Sequence, residues 1–351
     1  MFKTEILLGV VALSIGVVHS LCSYRDESPA DSWDIVISSE GQLEFYSNQT
    51  KTNSEGTGFR DLSALAYDAV HNVLFFVDRA NDNATIFSFN LTTKKFQSLV
   101  KNKWLQNIQG LAFDPVKRML FWTDIIKSSI FWMSLMPDSE NDGYGNLLIK
   151  MNDEIPVSIA VDSCREYIYW TCILITDSKS SIERSKFDGS EREVIVHTHL
   201  HMPLQLGLAI DQRTKRLYWA DEKEGIHFSI ESSNLEGEDR QILLNDAHDR
   251  PNTLTISKDW IYWVYSGHKT VWKLAKDKEN VEPLEVLELT KSIFGVVANY
   301  GIPECETLPR TLRNKAARFD NSTNAWLALV LYFCILTLPL PVLFTVPCHF
   351  Y

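Results

Sequence analysis

A unit made of an apolar strand, an aspartate, a short polar turn and a second apolar strand returns along the chain. LSALAYDAVHNVLFFVD ends at Asp78, IQGLAFDPVKRMLFWTD at Asp124, PVSIAVDSCREYIYWTC at Cys172 and QLGLAIDQRTKRLYWAD at Asp221. A fifth copy, PNTLTISKDWIYWVY, ends at Tyr265 and lacks two residues of the turn. The aromatic column Phe76, Trp122, Trp170, Trp219, Trp263 is spaced by 46, 48, 49 and 44 residues, a period that fits a four-stranded propeller blade. Within a copy, a strand such as Leu208-Ala209-Ile210 runs into Asp211, whose carboxylate can accept from the N–H two residues on and open a tight turn. Leu217-Tyr218-Trp219 then follows, apolar on both faces, as suits a strand covered on both sides. The closing Asp78, Asp124 and Asp221 are placed to accept from N–H groups left where that strand ends.

Downstream in each copy, polar and apolar residues alternate: ATIFSFNL, SSIFWMSL, SSIERSKFDGSEREVIV, FSIESSNLEGEDRQILL and KTVWKL. Asp188-Gly189 and Glu236-Gly237 mark a hairpin between two outer strands, where glycine supplies positive φ. Four strands per copy follow, with charge concentrated in the outer ones, as edge strands require. The ends complete the count. SWDIVISSEGQLEFYS resembles strands two and three with no first strand, and SIFGVVANYG, residues 292–301, resembles a first strand with nothing after it. The 268 residues from Trp33 to Tyr300 make about six blades at roughly 45 each. The expected fold is an all-β six-bladed propeller over residues 33–301, closed by a blade built from both ends.

The flanks carry targeting signals. MFKTEILLGVVALSIGVVHSLCS has one lysine, an apolar run and small residues near Ser20 and Cys22, the layout of a secretory signal peptide over residues 1–22. Ala325 to Val346 contains 22 uncharged residues, close to a membrane span, after a short stalk at 302–324. The absence of Lys or Arg in PCHFY leaves two readings open, a single-pass anchor and a removable lipid-anchor signal. Sequons at Asn48, Asn83, Asn90 and Asn321 suit an exposed compartment. A formal charge of −11 with no Lys/Arg block argues against a nucleic-acid partner.

LFWTD, IYWTC and LYWAD, each about seven residues after an aspartate and followed by D-G-S-x-R-type strands, resemble the YWTD repeats of the LDL-receptor class B family. The resemblance covers about residues 33–305 and implies a six-bladed propeller of a cell-surface, receptor-like protein that binds an extracellular or membrane protein. Within the family, VDSCREYIYWT, FDGSEREVIV, HMPLQLGLAIDQ and FSIESSNLEGEDRQILL resemble a branch of membrane-anchored extracellular proteins associated with gametogenesis. That branch continues into cysteine-rich EGF-like modules, whereas residues 301–324 hold one cysteine, Cys305.

Cys164 lies in the hairpin turn, near the start of the strand that Cys172 ends, and that strand separates the two by roughly 20 Å at about 3.3 Å per residue, beyond disulfide reach. Cys172 occupies the column of Asp78, Asp124 and Asp221, so it is a copy that has lost its closing acid. His197, His199 and His201 alternate as three imidazoles that zinc could use, but they fall between blades with no acid or cysteine at a fixed spacing. Asp68, Asp114, Asp162 and Asp211 recur once per blade, which makes them structural. No G-x-S-x-G, H-E-x-x-H or phosphate loop is present, so no enzyme, cofactor or metal is expected. The alternative is a secreted propeller hydrolase with a metal in the central channel. Trp104 and Trp260 fall outside the packing column and are candidates for a protein-binding surface.

Overall fold

The computed structural model describes residues 33–301 apart from 57, 103–105, 138, 140–141, 176–179, 199–206, 223–227, 247–250, 266–268 and 277–281. The regular structure among them is entirely β, six four-stranded antiparallel sheets. Blade 1 begins with β1 (Ile35–Ser39), β2 (Gln42–Ser47) and β3 (Thr50–Glu55). Blade 2 is β4 (Leu62–Asp68), β5 (Val73–Asp78), β6 (Ala84–Asn90) and β7 (Lys95–Lys101). Blade 3 is β8 (Ile108–Asp114), β9 (Met119–Asp124), β10 (Ser129–Ser134) and β11 (Asn146–Lys150). Blade 4 is β12 (Glu154–Asp162), β13 (Tyr167–Leu174), β14 (Ser180–Lys186) and β15 (Glu193–Thr198). Blade 5 is β16 (Leu208–Asp211), β17 (Arg216–Glu222), β18 (Phe228–Asn234) and β19 (Gln241–Asp246). Blade 6 is β20 (Pro251–Ile256), β21 (Trp260–Tyr265), β22 (Thr270–Ala275) and β23 (Leu284–Glu288).

The last strand, β24 (Ile293–Ala298), goes back to blade 1 in the order β24-β1-β2-β3. Ile35, Val36 and Ile37 pair with Ala298, Val297 and Val296, and the Asn299 N–H donates to the Asp34 carbonyl at 2.8 Å. The ring therefore closes through a blade made from both ends, as the sequence predicts. One detail differs: the N-terminal segment supplies three strands, because the polar TKTNSE of β3 adds an exposed outer strand with no apolar pattern to announce it.

Six apolar clusters fill the spaces between consecutive blades. Between blades 3 and 4 the innermost strands are tied by a device that explains the threonine of the LFWTD and IYWTC copies. β8 is bulged against β9 between Ile108 and Leu111, which strips the Gly110 N–H of its ladder partner. Thr123 accepts that N–H at 2.8 Å and donates its own hydroxyl to the Val157 carbonyl of blade 4. Thr171 accepts the Ser158 N–H in the same way at 2.9 Å. Blades approach so closely here that a Cβ on Gly110 would sit 2.6 Å from the Val157 oxygen, and one on Gly207 2.0 Å from the Leu254 nitrogen. At the periphery, the third and fourth strands shift register in all six blades, which blunts the outer edges against strand addition.

The signal peptide, the stalk and the 325–346 segment lie outside the described residues, as do Asn321, Trp104, His199 and His201. Among the described residues no helix is long and apolar enough to cross a membrane.

Candidate functional site

Trp122, Trp170, Trp219 and Trp263 are buried to 1% exposure or less. None of their indole N–H groups has an acceptor among the described residues, so the column contributes apolar area rather than polarity. What faces each aromatic across the sheet divides the ring. Phe87 stacks on Phe76 and Phe131 on Trp122, at 5.6 and 5.9 Å between ring centres. In blade 6 Trp272 pairs with Trp263. In blades 4 and 5 the cross-strand partners are instead Glu183 and Glu231, and an arginine from the hairpin beyond covers the indole. Arg192 lies 5.8 Å from the Trp170 ring centre and Arg240 5.4 Å from that of Trp219, cation–π geometry.

Both arginines use the same atoms. Nε donates to Glu183 at 2.8 Å in blade 4 and to Glu231 in blade 5. Nη2 goes to Asp221 at 2.7 Å in blade 5 and to Glu154 in blade 4. Glu154, one strand inward of Cys172, thus replaces the acid that blade 4 lacks. Glu154, Cys172 and Glu183 place donor atoms within 4.8 Å of one another, a spacing a metal could use. Arg192 already neutralises both carboxylates, however, and burial with the nearby glutamates pushes the Cys172 thiol well above its usual range, so the set does not suit a dication.

The remaining repeat acids behave as strand and turn closers. Asp78 accepts from the N–H groups of Arg60, Asp61 and Ala80, and Asp124 from Asn107, Ile126 and Lys127. Asp68, Asp162 and Asp211 each accept from N–H groups two and three residues on, while Asp114 accepts from the N–H of Lys117. Asp211 alone also binds Lys276, whose side chain is 6% exposed, and the Tyr300 hydroxyl at 2.6 Å. Burial raises its pKa, but the bonds from Lys276 and Tyr300 outweigh that and hold the carboxyl below the ordinary aspartate range. Cys172 is free and Cys164 is disulfide-bonded, so the two are not joined to each other.

Three recesses among the described residues bear on binding. On the face that carries the turns between first and second strands, the central mouth, about 190 Å³, is lined by Ala112, Ala160, Ala209 and Val297 among others and by no carboxylate or histidine. On the same face a larger cleft of about 460 Å³ opens between blades 6 and 1, with Trp260 and Asn48 on its wall. Trp260 is only half-exposed, packs against the core between these blades and carries Lys273 at 4.3 Å from its ring centre. A peripheral groove of about 760 Å³ between blades 2 and 3 exposes Phe96 and Met136. On the opposite face Ile126 and Ile175, just past the ends of equivalent strands in blades 3 and 4, are 53% and 57% exposed. His197 sits at an exposed end of β15, where its carbonyl accepts from Arg240. Asn83 is exposed, whereas the Asn90 side chain accepts from the N–H groups of Thr92 and Thr93.

Ring, threonine-capped bulges and tryptophan column together define a six-bladed propeller of the YWTD-repeat type. Among curated proteins the chain is similar to proteins named cueball: that of Drosophila virilis is 31% identical over 340 residues, covering 90% of this chain and 52% of that protein. The chain therefore spans about half the length of the curated relatives it matches. A chain in the crystal structure of a nidogen/laminin complex superposes with a TM-score of 0.62 at 20% identity, over 76% of this chain and 98% of that one. A gluconolactonase from Xanthomonas campestris superposes with a TM-score of 0.51 at 16% identity, over 75% of this chain and 88% of that one. At these identities both show the shared fold. No protein-family model matches the chain.

Proposed function

We propose that the chain is a cell-surface, receptor-like binding protein. Its propeller faces the extracellular side, residues 325–346 attach it to the membrane, and it captures a protein partner in the course of germ-cell development. The observation that carries the binding reading is the central mouth, where a hydrolase of this fold would gather acids and this chain places alanines and valine. Three buried acids are committed to cations away from that mouth, Asp211 to Lys276, Glu183 to Arg192 and Glu231 to Arg240. A closed ring with blunted edges is a rigid support for surface recognition. Ile126 and Ile175 stand exposed on the same face of adjacent blades, apolar side chains that a partner could cover. The kinship with cueball proteins supports the germ-line assignment, and the 22-residue uncharged segment supports attachment.

Proximity labelling on germ-line cells expressing the tagged full chain tests the reading. Extracellular or membrane proteins should be enriched over a control lacking the propeller, and the enrichment should fall at least several-fold in the Ile126→Glu, Ile175→Glu double variant. Failure to enrich any such protein would reject the receptor reading. Treatment of the same cells with a phosphatidylinositol-specific phospholipase separates the two modes of attachment, since only a lipid-anchored chain is released.

A further inference from the structure

We propose that the cleft between blades 6 and 1 is a sugar-binding site, and that its occupant is the N-linked glycan carried by Asn48. The proposal rests on the secretory part of the reading above. Three observations place the glycan there. First, Asn48, Gln49 and Thr50 are all exposed and Asn48 lies on the cleft wall, so a sugar attached to it starts inside the recess. By contrast, Thr85 of the Asn83 sequon is 4% exposed, and the Asn90 side-chain oxygen is taken up by two backbone N–H groups. Second, the turn that presents Asn48 is firmly set. Asn48 and Gln49 hold φ of 45° and 67°, a conformation that asparagine tolerates, and the Asn48 N–H donates to the Asp34 carboxylate at 2.7 Å. Its side-chain amide has no hydrogen bond among the described residues, which leaves it available.

Third, the wall has the mixed chemistry that a sugar ring requires. Trp260 offers the part of its indole that the core and Lys273, 4.3 Å from the ring centre, leave uncovered, while Gln49 and Asp259 line the cleft with side chains that hydrogen-bond to no described residue and Lys273 adds its ammonium. Sugar hydroxyls both donate and accept, so an amide, a carboxylate and an ammonium beside an indole satisfy them together. Tethering at Asn48 raises the effective concentration of the sugar to the millimolar range, so modest contacts suffice to hold it. In the attachment step, the Asn48 side-chain nitrogen bonds to the anomeric carbon of a lipid-pyrophosphate-linked oligosaccharide. It gives up one N–H proton, and the lipid pyrophosphate leaves.

The test is intact-glycopeptide mass spectrometry on the full chain from secretory cells. Asn48 should be occupied, and its glycan should be trimmed and extended several-fold less than those at Asn83 or Asn90, because the cleft shields it from processing enzymes. Trp260→Leu, which keeps an apolar contact with the core, and the surface variant Asp259→Ala should each raise processing at Asn48 alone. Equal processing in wild type and both variants would overturn the proposal. A bare Asn48 beside an occupied Asn83 or Asn90 would overturn it while leaving the secretory reading intact, and three bare sequons would sink both. In Thr50→Ala, which lacks the glycan, added N,N′-diacetylchitobiose should change tryptophan fluorescence saturably, and Thr50→Ala with Trp260→Leu should abolish the change. Saturable binding of the same disaccharide by glycosylated wild type would show the cleft open to free sugars and contradict occupancy by the chain's own glycan.

Discussion

Cys172 looks at first like a chemical group and proves to be a vacancy in a repeated charge pattern, filled from another direction. Its side chain is fully buried, 3.9 Å from the Met151 sulfur, and the second carboxylate that Arg192 needs comes from Glu154. Restoring the repeat residue should therefore do harm. Cys172→Asp places a third acid beside one guanidinium and should lower stability by about 1–3 kcal/mol, read from the denaturant midpoint. Combined with Glu154→Gln the loss should be smaller than the sum, because the new aspartate takes over the vacated role. Arg192→Ala leaves Glu183, 3% exposed, without its cation and with only the Ser181 hydroxyl, and should cost about 3 kcal/mol. Asp211 yields a pH prediction. Its folded pKa lies below the ordinary value, so its contribution to stability is complete above that ordinary value and lost as pH falls through the folded one. The stability gap between wild type and Asp211→Asn, measured by urea unfolding, should be constant above the ordinary aspartate pKa and narrow as pH falls below it. A gap independent of pH would contradict the ion pair with Lys276.

At the scale of the element, the threonines of blades 3 and 4, Thr123 and Thr171, bond the inner strand where it bulges. Thr123→Val removes the acceptor of the Gly110 N–H and the donor to Val157, two buried bonds at one blade junction, and should cost about 1–3 kcal/mol. An unchanged midpoint would mean that the bulge finds other partners. Much of this level was legible in the sequence. The four aspartate-to-aromatic copies, and the fifth with Ser257 in place of the aspartate, stand out because a strand buried on both faces leaves little freedom of residue type, and the Gly189 and Gly237 hairpins because both need positive φ, which each shows at 83°. Other features left no trace. β3 is polar throughout and exposed. Glu154 reaches Arg192 across a bulged inner strand, and Tyr300 meets Asp211 from 89 residues away. The Trp260 cleft is assembled from segments near residues 48, 260 and 299. The sequence marked Trp260 and Asn48 separately, as a partner contact and a sequon, but only the closed ring sets them on one wall.

The whole molecule depends on that closure. Binding through loops on a disc requires the disc to be rigid, and its rigidity requires the two ends to share a blade, since an open ring exposes β1 and the inner faces of blades 1 and 6. The cleft proposed for the Asn48 glycan exists for the same reason, because Asp34 and Asn48 come from one end of the chain and Asn299 from the other. Nothing in the hydrophobic pattern of Ile293–Ala298 demands β1 as its neighbour; that pairing follows from the blade count. Hydrogen exchange on the intact chain, followed by peptide mass spectrometry, tests it most directly. The account predicts that amides of Ile35–Ser39 and Ile293–Ala298 exchange together, as slowly as those of β9 or β13. Rapid exchange of residues 293–298 while β9 and β13 stay protected would contradict a ring closed by its own two ends.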